Sequence, residues 1–286
     1  MKKNLFLVGL LFISTSFSTL AAELTFKVHG KEVAKFTIEE LKKTNALTTV
    51  QVFDPTLGAM TSYQAFDFKA LLNSVYKNDH KDQLKSAEEV LFTCSDGYQP
   101  SIPMQQFENH TAYLAVSAGV NGPFEVVHKS DGSNKKISLG PTYLIWKDDP
   151  EVRADVETDW PYQVVSVDLV SFEERFPKLS PPGGAKGVSP QVKRGFLEFR
   201  KFCVVCHTIN GEGGAKAPDL NYPVNVTEYF KEEWFYKFVN NPQSVRLHSG
   251  MSAFSGQIEN NRLHLKDVFA YLKSMQKRKI KPDTVK

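Results

Sequence analysis

The chain has 286 residues, of which 41% are hydrophobic and 23% are charged, a balance typical of globular proteins that excludes disordered and collagen-like chains. No apolar run is long enough for a polytopic membrane protein, and a net charge of +3 is too small to indicate a nucleic-acid partner. Three cysteines are too few for a disulfide-dense scaffold, whereas the length suffices for two ordinary domains.

The first 22 residues resemble a secretory signal peptide. Lys2 and Lys3 form a charged start, residues 5–17 are a short apolar stretch, and Ala21 and Ala22 provide small residues for cleavage. The alternative is an uncleaved membrane anchor. With the motif described below, this segment predicts export to a Gram-negative periplasm.

Residues 23–176 are predicted to form an α+β domain made mostly of strands. Apolar residues alternate over residues 24–28, and Thr37 and Glu40 have the spacing of a helix capping box. The other predicted elements are a helix over residues 66–75 and strands over residues 90–93, 112–116, 143–146 and 164–172.

Residues 177–189 are rich in proline and glycine and predict a linker to a helical domain over residues 190–286. Ser189 can cap a first helix that starts at Pro190 and ends near Phe202. We expect a middle helix over residues 227–239, stopped by Pro242, a last helix over residues 263–275, and a frayed basic tail over residues 276–286. The helical part carries 16 Lys and Arg against nine Asp and Glu, which indicates either a solvated tail or a docking surface for an acidic partner.

The sequence C-x-x-C-H at residues 203–207 is the signature of c-type haem attachment. Cys203 and Cys206 would form thioethers with the two vinyl groups of the porphyrin, and His207 would bind the iron from one side. Alternative interpretations of C-x-x-C are a zinc site, a thiol redox pair and a disulfide. Zinc would need further thiol or imidazole ligands at matched spacing, and a thiol redox motif should follow a strand rather than a helix.

The surroundings of this motif resemble the class I cytochrome c family over roughly residues 190–275. Gly195 and Phe199 share one face of the helix before the motif, where the last helix could cross with Tyr271 as a contact. The resemblance implies an all-α cytochrome c fold and one covalent haem c. It also implies that the carbonyl of Pro218 accepts a hydrogen bond from the ring of His207.

The same resemblance implies a methionine as the second axial ligand. Met251 lies 44 residues after His207, between the middle and last helices, although Ser252 stands where the family usually has proline. His248 is the alternative ligand, and an open position is a third case. A thioether ligand favours Fe(II) and raises the reduction potential relative to a second imidazole.

The N-terminal part resembles a short oxidoreductase molybdopterin-binding domain of the sulfite-oxidase-like superfamily over about residues 37–172. The resemblance rests on element order and on the S-D-G-Y sequence of residues 95–98. That family binds molybdenum through a cysteine, and Cys94 is the only one available. A lone cysteine at the end of an apolar strand is more often a small buried apolar residue than a metal ligand. Basic residues for a pterin phosphate are also sparse, so a molybdopterin is not expected.

The sequence therefore predicts a periplasmic, single-haem c-type cytochrome with no catalytic residues assigned. It would transfer electrons between periplasmic or membrane-associated redox proteins, with the N-terminal domain as a docking or scaffold module. One alternative is a fused molybdenum-dependent oxidoreductase that passes electrons to the haem. Another is a haem sensor, which would need a vacant or labile axial position.

Overall fold

The computed structural model describes residues 22–119, 124–130, 133–147, 160–183, 187–254 and 261–282. Residues 1–21, which hold nearly all of the predicted signal peptide, lie outside this part of the chain. Of the helices in these ranges, none combines the length and the hydropathy that a membrane span requires.

The N-terminal part is built on two sheets. Their strands are β1 (Glu23–Val28), β2 (Lys31–Thr37), β3 (Leu47–Asp54), β4 (Ala59–Asp67), β5 (Glu89–Cys94), β6 (Ser101–Pro103), β7 (Ala112–Ala118), β10 (Tyr143–Trp146) and β11 (Val164–Val170). The five-stranded sheet has the order β2-β1-β11-β5-β6, with β1 and β11 parallel and the other pairs antiparallel. The four-stranded sheet is antiparallel and has the order β10-β7-β4-β3. A separate hairpin pairs β8 (Glu125–Ser130) with β9 (Ser133–Ser138).

Short helices lie between these strands or, in the case of the last one, follow them. They are α1 (Ile38–Thr44), α2 (Phe68–Val75), α3 (Lys81–Ser86), α4 (Met104–Asn109) and α5 (Phe172–Arg175). The capping box at the start of α1 is present, because the Thr37 side chain accepts from the Glu40 N–H and the Glu40 carboxylate accepts from the Thr37 N–H. The helix predicted over residues 66–75 begins two residues later, since β4 continues to Asp67, whose carboxylate caps α2.

The C-terminal part is helical, apart from a two-residue hairpin formed by β12 (Thr208–Ile209) and β13 (Glu212–Gly213). Its helices are α6 (Pro190–Phe202), α7 (Val226–Tyr229), α8 (Glu232–Asn240), α9 (Pro242–Val245) and α10 (Asn261–Met275). The predicted bounds of α6 are confirmed, and the Ser189 side chain accepts from the Val192 N–H. Strands thus dominate the N-terminal part and helices the C-terminal part, which is consistent with the expected α+β and all-α domains.

Two expectations for the helical part are wrong. The single middle helix is two helices, because the backbone of Phe230 is extended and its ring packs on the C-terminal core. The expected stop is present, since α8 ends at Asn240, two residues before Pro242, which begins α9. The start of the tail is bound rather than frayed: the Arg278 guanidinium donates to the carbonyl of Ser180 over 2.7 Å, and Lys279 pairs with Glu228 over 2.6 Å.

Candidate haem-binding site

Helix α6 ends directly before the C-x-x-C-H sequence, and Gly195 on this helix allows α10 to cross it closely. A Cβ atom on Gly195 would collide with the backbone carbonyl of Asp267 and lie 3.0 Å from Cβ of Tyr271. The ring of Tyr271 packs against Phe196 and Phe199, with centroids 5.5 and 5.2 Å apart. The expected helix crossing over Gly195 is therefore present.

The motif folds as a turn directly after α6. The Cys203 N–H donates to the Phe199 carbonyl and the His207 N–H donates to the Cys203 carbonyl, both over 2.9 Å. These bonds keep both thiols and the imidazole on one compact segment, residues 203–207, which we call the attachment loop. The next residues wrap closely around it, since a Cβ on Gly213 would lie 2.5 Å from the His207 carbonyl and one on Gly214 would collide with that of Val205.

The ring of His207 is held by the backbone that follows. Its Nδ1 lies 2.8 Å from the carbonyl oxygen of Pro218, as expected from the sequence. A carbonyl can only accept, so Nδ1 carries the proton of the neutral ring and Nε2 is left to bind a metal. Burial lowers the pKa of His207, which favours this neutral, metal-binding form.

The two thiols do not have the properties of a redox pair. Burial raises the pKa of Cys203 to about 12 and also raises the pKa of Cys206. A thiol redox motif depends on the opposite shift, because the thiolate is the reactive form. A zinc site is also disfavoured, since in the described ranges no three His, Cys, Asp or Glu side chains are grouped so that they could hold a metal ion.

The two candidates for the second axial ligand differ in burial. Met251 is half-buried and packs against the apolar core of the C-terminal part, whereas His248 is exposed and has a left-handed backbone with φ of +60°. The segment after Met251 is tied back to α8, because the Phe254 N–H donates to the carbonyl of Val239 over 3.0 Å. Residues 255–260 lie outside the described residues.

Sequence reasoning missed Asp219, which fixes the position of Pro218. The carboxylate of Asp219 accepts from the backbone N–H groups of Gly211, Asn221 and Tyr222, over 2.7, 2.8 and 2.7 Å. The local signal was an acidic residue directly after the proline, a position typical of a side chain that bonds to the backbone of its own turn.

A chain of buried asparagine side chains was missed as well. The Asn221 amide donates to Asn210, and the Asn225 amide donates to Asn221 and to the carbonyl of Leu272 on α10, all over 2.7 to 2.8 Å. All three asparagines are fully buried. The network ties the segment after the attachment loop to the last helix, and buried amides cost stability unless they are paired in this way.

Cys94 belongs to the apolar core of the N-terminal part. It ends β5, is 3% exposed, and burial raises its thiol pKa to about 12. The structure therefore places Cys94 as expected for a small buried apolar side chain.

Comparison with known proteins assigns the helical part. The family model described as Cytochrome c matches residues 192–276, the segment that contains the attachment loop, Pro218 and Met251. No curated protein matches the chain. Residues 192–276 thus form a cytochrome c domain, which implies covalently bound haem c and a role in haem-based electron transfer.

Proposed function

We propose that this protein is an exported c-type cytochrome that carries one haem and moves electrons between periplasmic or membrane-associated redox partners. The observation that carries the proposal is the bond between Nδ1 of His207 and the carbonyl of Pro218. It leaves Nε2 of the same ring as the metal-binding atom, beside two thiols on one turn. These donors fit a covalently attached haem better than zinc or a thiol redox couple.

In this proposal four side chains hold the haem. Cys203 and Cys206 anchor the porphyrin, which keeps the cofactor attached outside the cell. His207 and Met251 would be the two protein ligands of the iron. When bound, haem c supplies a one-electron couple between Fe(III) and Fe(II).

The surrounding residues orient these groups and tune them. The Pro218 carbonyl fixes the tautomer and the plane of the His207 ring and strengthens its donation to the metal. The thioether of Met251 favours Fe(II) and so raises the reduction potential. With both His207 and Met251 as ligands, the haem would favour outer-sphere electron transfer over small-molecule chemistry, whereas a haem sensor would need one of these ligands to be absent or labile.

In this proposal the N-terminal domain is a docking or scaffold module, similar in element order to a sulfite-oxidase-like domain but without molybdenum. A molybdenum ligand must present a thiolate to the cofactor. Cys94 is buried and its thiol pKa lies far above neutral pH. The competing function, a molybdenum-dependent oxidoreductase that passes electrons to the haem, needs this thiol.

Metal analysis of the mature protein, read beside its reduced visible spectrum, tests the proposal. We expect one iron and no molybdenum per chain, a spectrum typical of a low-spin c-type cytochrome, and no change when carbon monoxide is added to the ferrous protein. Stoichiometric molybdenum that is lost in Cys94→Ser would support the oxidoreductase instead, and a carbon monoxide complex would support the sensor.

A further inference from the structure

The N-terminal domain contacts the cytochrome c domain at the attachment loop itself. The contact is made by residues 95–99, which follow β5 and which we call the β5–β6 turn. The Gln99 N–H donates to the carbonyl of Val205 over 2.8 Å, and the Ala215 N–H donates to the carbonyl of Gly97 over 2.9 Å. Val205 lies between the two cysteines of the motif, so the turn reaches the attachment loop directly.

Gly97 makes this approach sterically possible. A Cβ atom at this position would lie 2.8 Å from the backbone carbon of Ala215 and 2.8 Å from the backbone nitrogen of Lys216. Its φ of +88° is also in the left-handed region that other residues rarely adopt. Because backbone faces backbone here, neither side could move aside as a flexible side chain could.

An ion pair joins the two domains beside this contact. The Lys216 ammonium lies 2.7 Å from the Asp96 carboxylate and 5.4 Å from the centroid of the Tyr98 ring. The next residue, Ala217, donates its N–H to the carbonyl of Cys206 over 2.9 Å, so the pair lies close to the second thioether position. Burial acts to raise the pKa of Asp96, but hydrogen bonds from Lys216 and from the Tyr98 N–H outweigh it and hold the pKa below its usual range.

The β5–β6 turn is itself rigid. The Cys94 N–H donates to Tyr98 over 2.9 Å, the Gly97 N–H donates to Cys94 over 3.0 Å, and the Ser95 N–H donates to Gln163 over 2.9 Å, all to backbone carbonyls. A turn with its backbone bonded on both sides keeps one shape. The turn therefore holds the attachment loop at a fixed position relative to the N-terminal domain.

A second contact region fixes how the domains are placed. Arg200, three residues before Cys203, pairs with Glu89 of β5, and its guanidinium lies 4.0 Å from the centroid of the Phe172 ring. Four apolar residues from before the predicted linker, and one from its start, join the core of the cytochrome c domain: Leu91, Val170, Phe172 and Phe176, and then Leu179. An interface with shared apolar packing and partly buried ion pairs is expected to be permanent rather than transient.

We infer that the β5–β6 turn is a rigid part of the haem site, which we call the wall. It holds the attachment loop in place and covers the side of the loop on which the carbonyl of Val205 lies. The inference rests on the proposed function, since the attachment loop holds haem only in that proposal. The occupant of this side is the chain's own N-terminal domain. An external redox partner therefore has to approach the cytochrome c domain from another face.

Hydrogen exchange in full-length holoprotein tests the wall with a matched pair of variants. Gly97→Ala adds a methyl group at the contact, whereas Gly58→Ala adds one at a position with a similar φ of +63° and nothing within 4 Å. We expect Gly97→Ala to speed exchange in residues 203–217 by about tenfold or more, as loss of one or two hydrogen bonds would. Gly58→Ala should leave these amides unchanged.

Charge variants separate a haem-site role from a merely structural one. Removing the positive charge in Lys216→Gln should lower the reduction potential, removing the negative charge in Asp96→Asn should raise it, and the double variant should lie near wild type. A pair that only holds the domains together would shift both single variants in the same direction. If Gly97→Ala does not fold, these charge variants still test whether the β5–β6 turn belongs to the haem site.

The outcomes distinguish this inference from the proposed function. Absence of covalent haem in the wild-type protein would overturn the proposed function. Covalent haem together with equal exchange in the two glycine variants, or charge variants that shift in one direction, would overturn the wall alone.

Discussion

Nδ1 of His207 and the carbonyl oxygen of Pro218 lie 2.8 Å apart, and this hydrogen bond connects the attachment loop to the segment around Pro218. The bond needs Pro218 to be held still, and the neighbouring Asp219 does this by accepting three backbone N–H groups. The orientation of the imidazole thus depends on a carboxylate that does not touch it.

Asp219→Ala should destabilise the protein and raise its reduction potential. Three backbone N–H groups lose a charged acceptor, for which we expect a loss of about 3 kcal/mol of unfolding free energy. A loosened Pro218 carbonyl makes His207 a weaker donor, which favours Fe(II). Denaturant unfolding and redox titration measure the two effects. The control Asp219→Asn keeps one acceptor oxygen and should lose less unfolding free energy. If Asp219→Ala equals wild type in both measurements, the Asp219 carboxylate does not hold Pro218 in place.

Gly195→Ala should weaken the crossing of α6 and α10. The added methyl group collides with the backbone of Asp267, which cannot yield without moving the helix, so we expect about 3 kcal/mol or more of destabilisation. Gly187→Ala is the matched control, because a Cβ there meets nothing within 4 Å. Thermal unfolding of the two holoproteins gives the comparison, and equal midpoints would argue against the close crossing.

Met251→Ala should abolish the weak near-infrared sulfur-to-iron band of the oxidised protein and lower the reduction potential. The thioether that favours Fe(II) is then lost. His248→Ala is the control, and because this side chain is exposed it should leave the band intact. If wild type lacks the band, or if the band survives in Met251→Ala, another group binds the iron.

Cys94 should resist thiol reagents in the native protein. It is 3% exposed and its thiol pKa is raised to about 12 by burial, so at pH 8 it is almost entirely the unreactive thiol. We expect no maleimide adduct on the native mature protein and one adduct after denaturation, counted by mass spectrometry. Rapid labelling of the native protein would mean that Cys94 is open to a ligand or to solvent.

Local patterns predicted the parts of the site that depend on local chemistry. The bounds of α6 follow from a serine cap, a proline at the first position and the cysteine motif at its end. The close crossing follows from Gly195 on the same face as Phe199, and the partner of His207 follows from the resemblance around Pro218. In each case the information lies within a few residues or in a pattern that recurs in one family.

The features that were missed depend on contacts between distant segments. The break between α7 and α8 exists because Phe230 packs into a core that the sequence alone does not reveal. Arg278 is ordered by carbonyls of residues 177 and 180, about a hundred positions earlier in the chain. The contact of the β5–β6 turn with the attachment loop likewise could not be predicted. Gly97 indicates a turn but not what packs against it, and the hydrogen bonds join backbone groups of segments more than a hundred residues apart.

The intact mass of the denatured mature protein, read with its iron content, decides whether Cys203 and Cys206 hold a covalent haem. We expect the mass of the chain plus one haem, retained after extraction with acidified organic solvent and lost when Cys203 and Cys206 are both replaced by alanine. A mass equal to the chain alone, with both thiols of the motif free to react, would contradict this expectation.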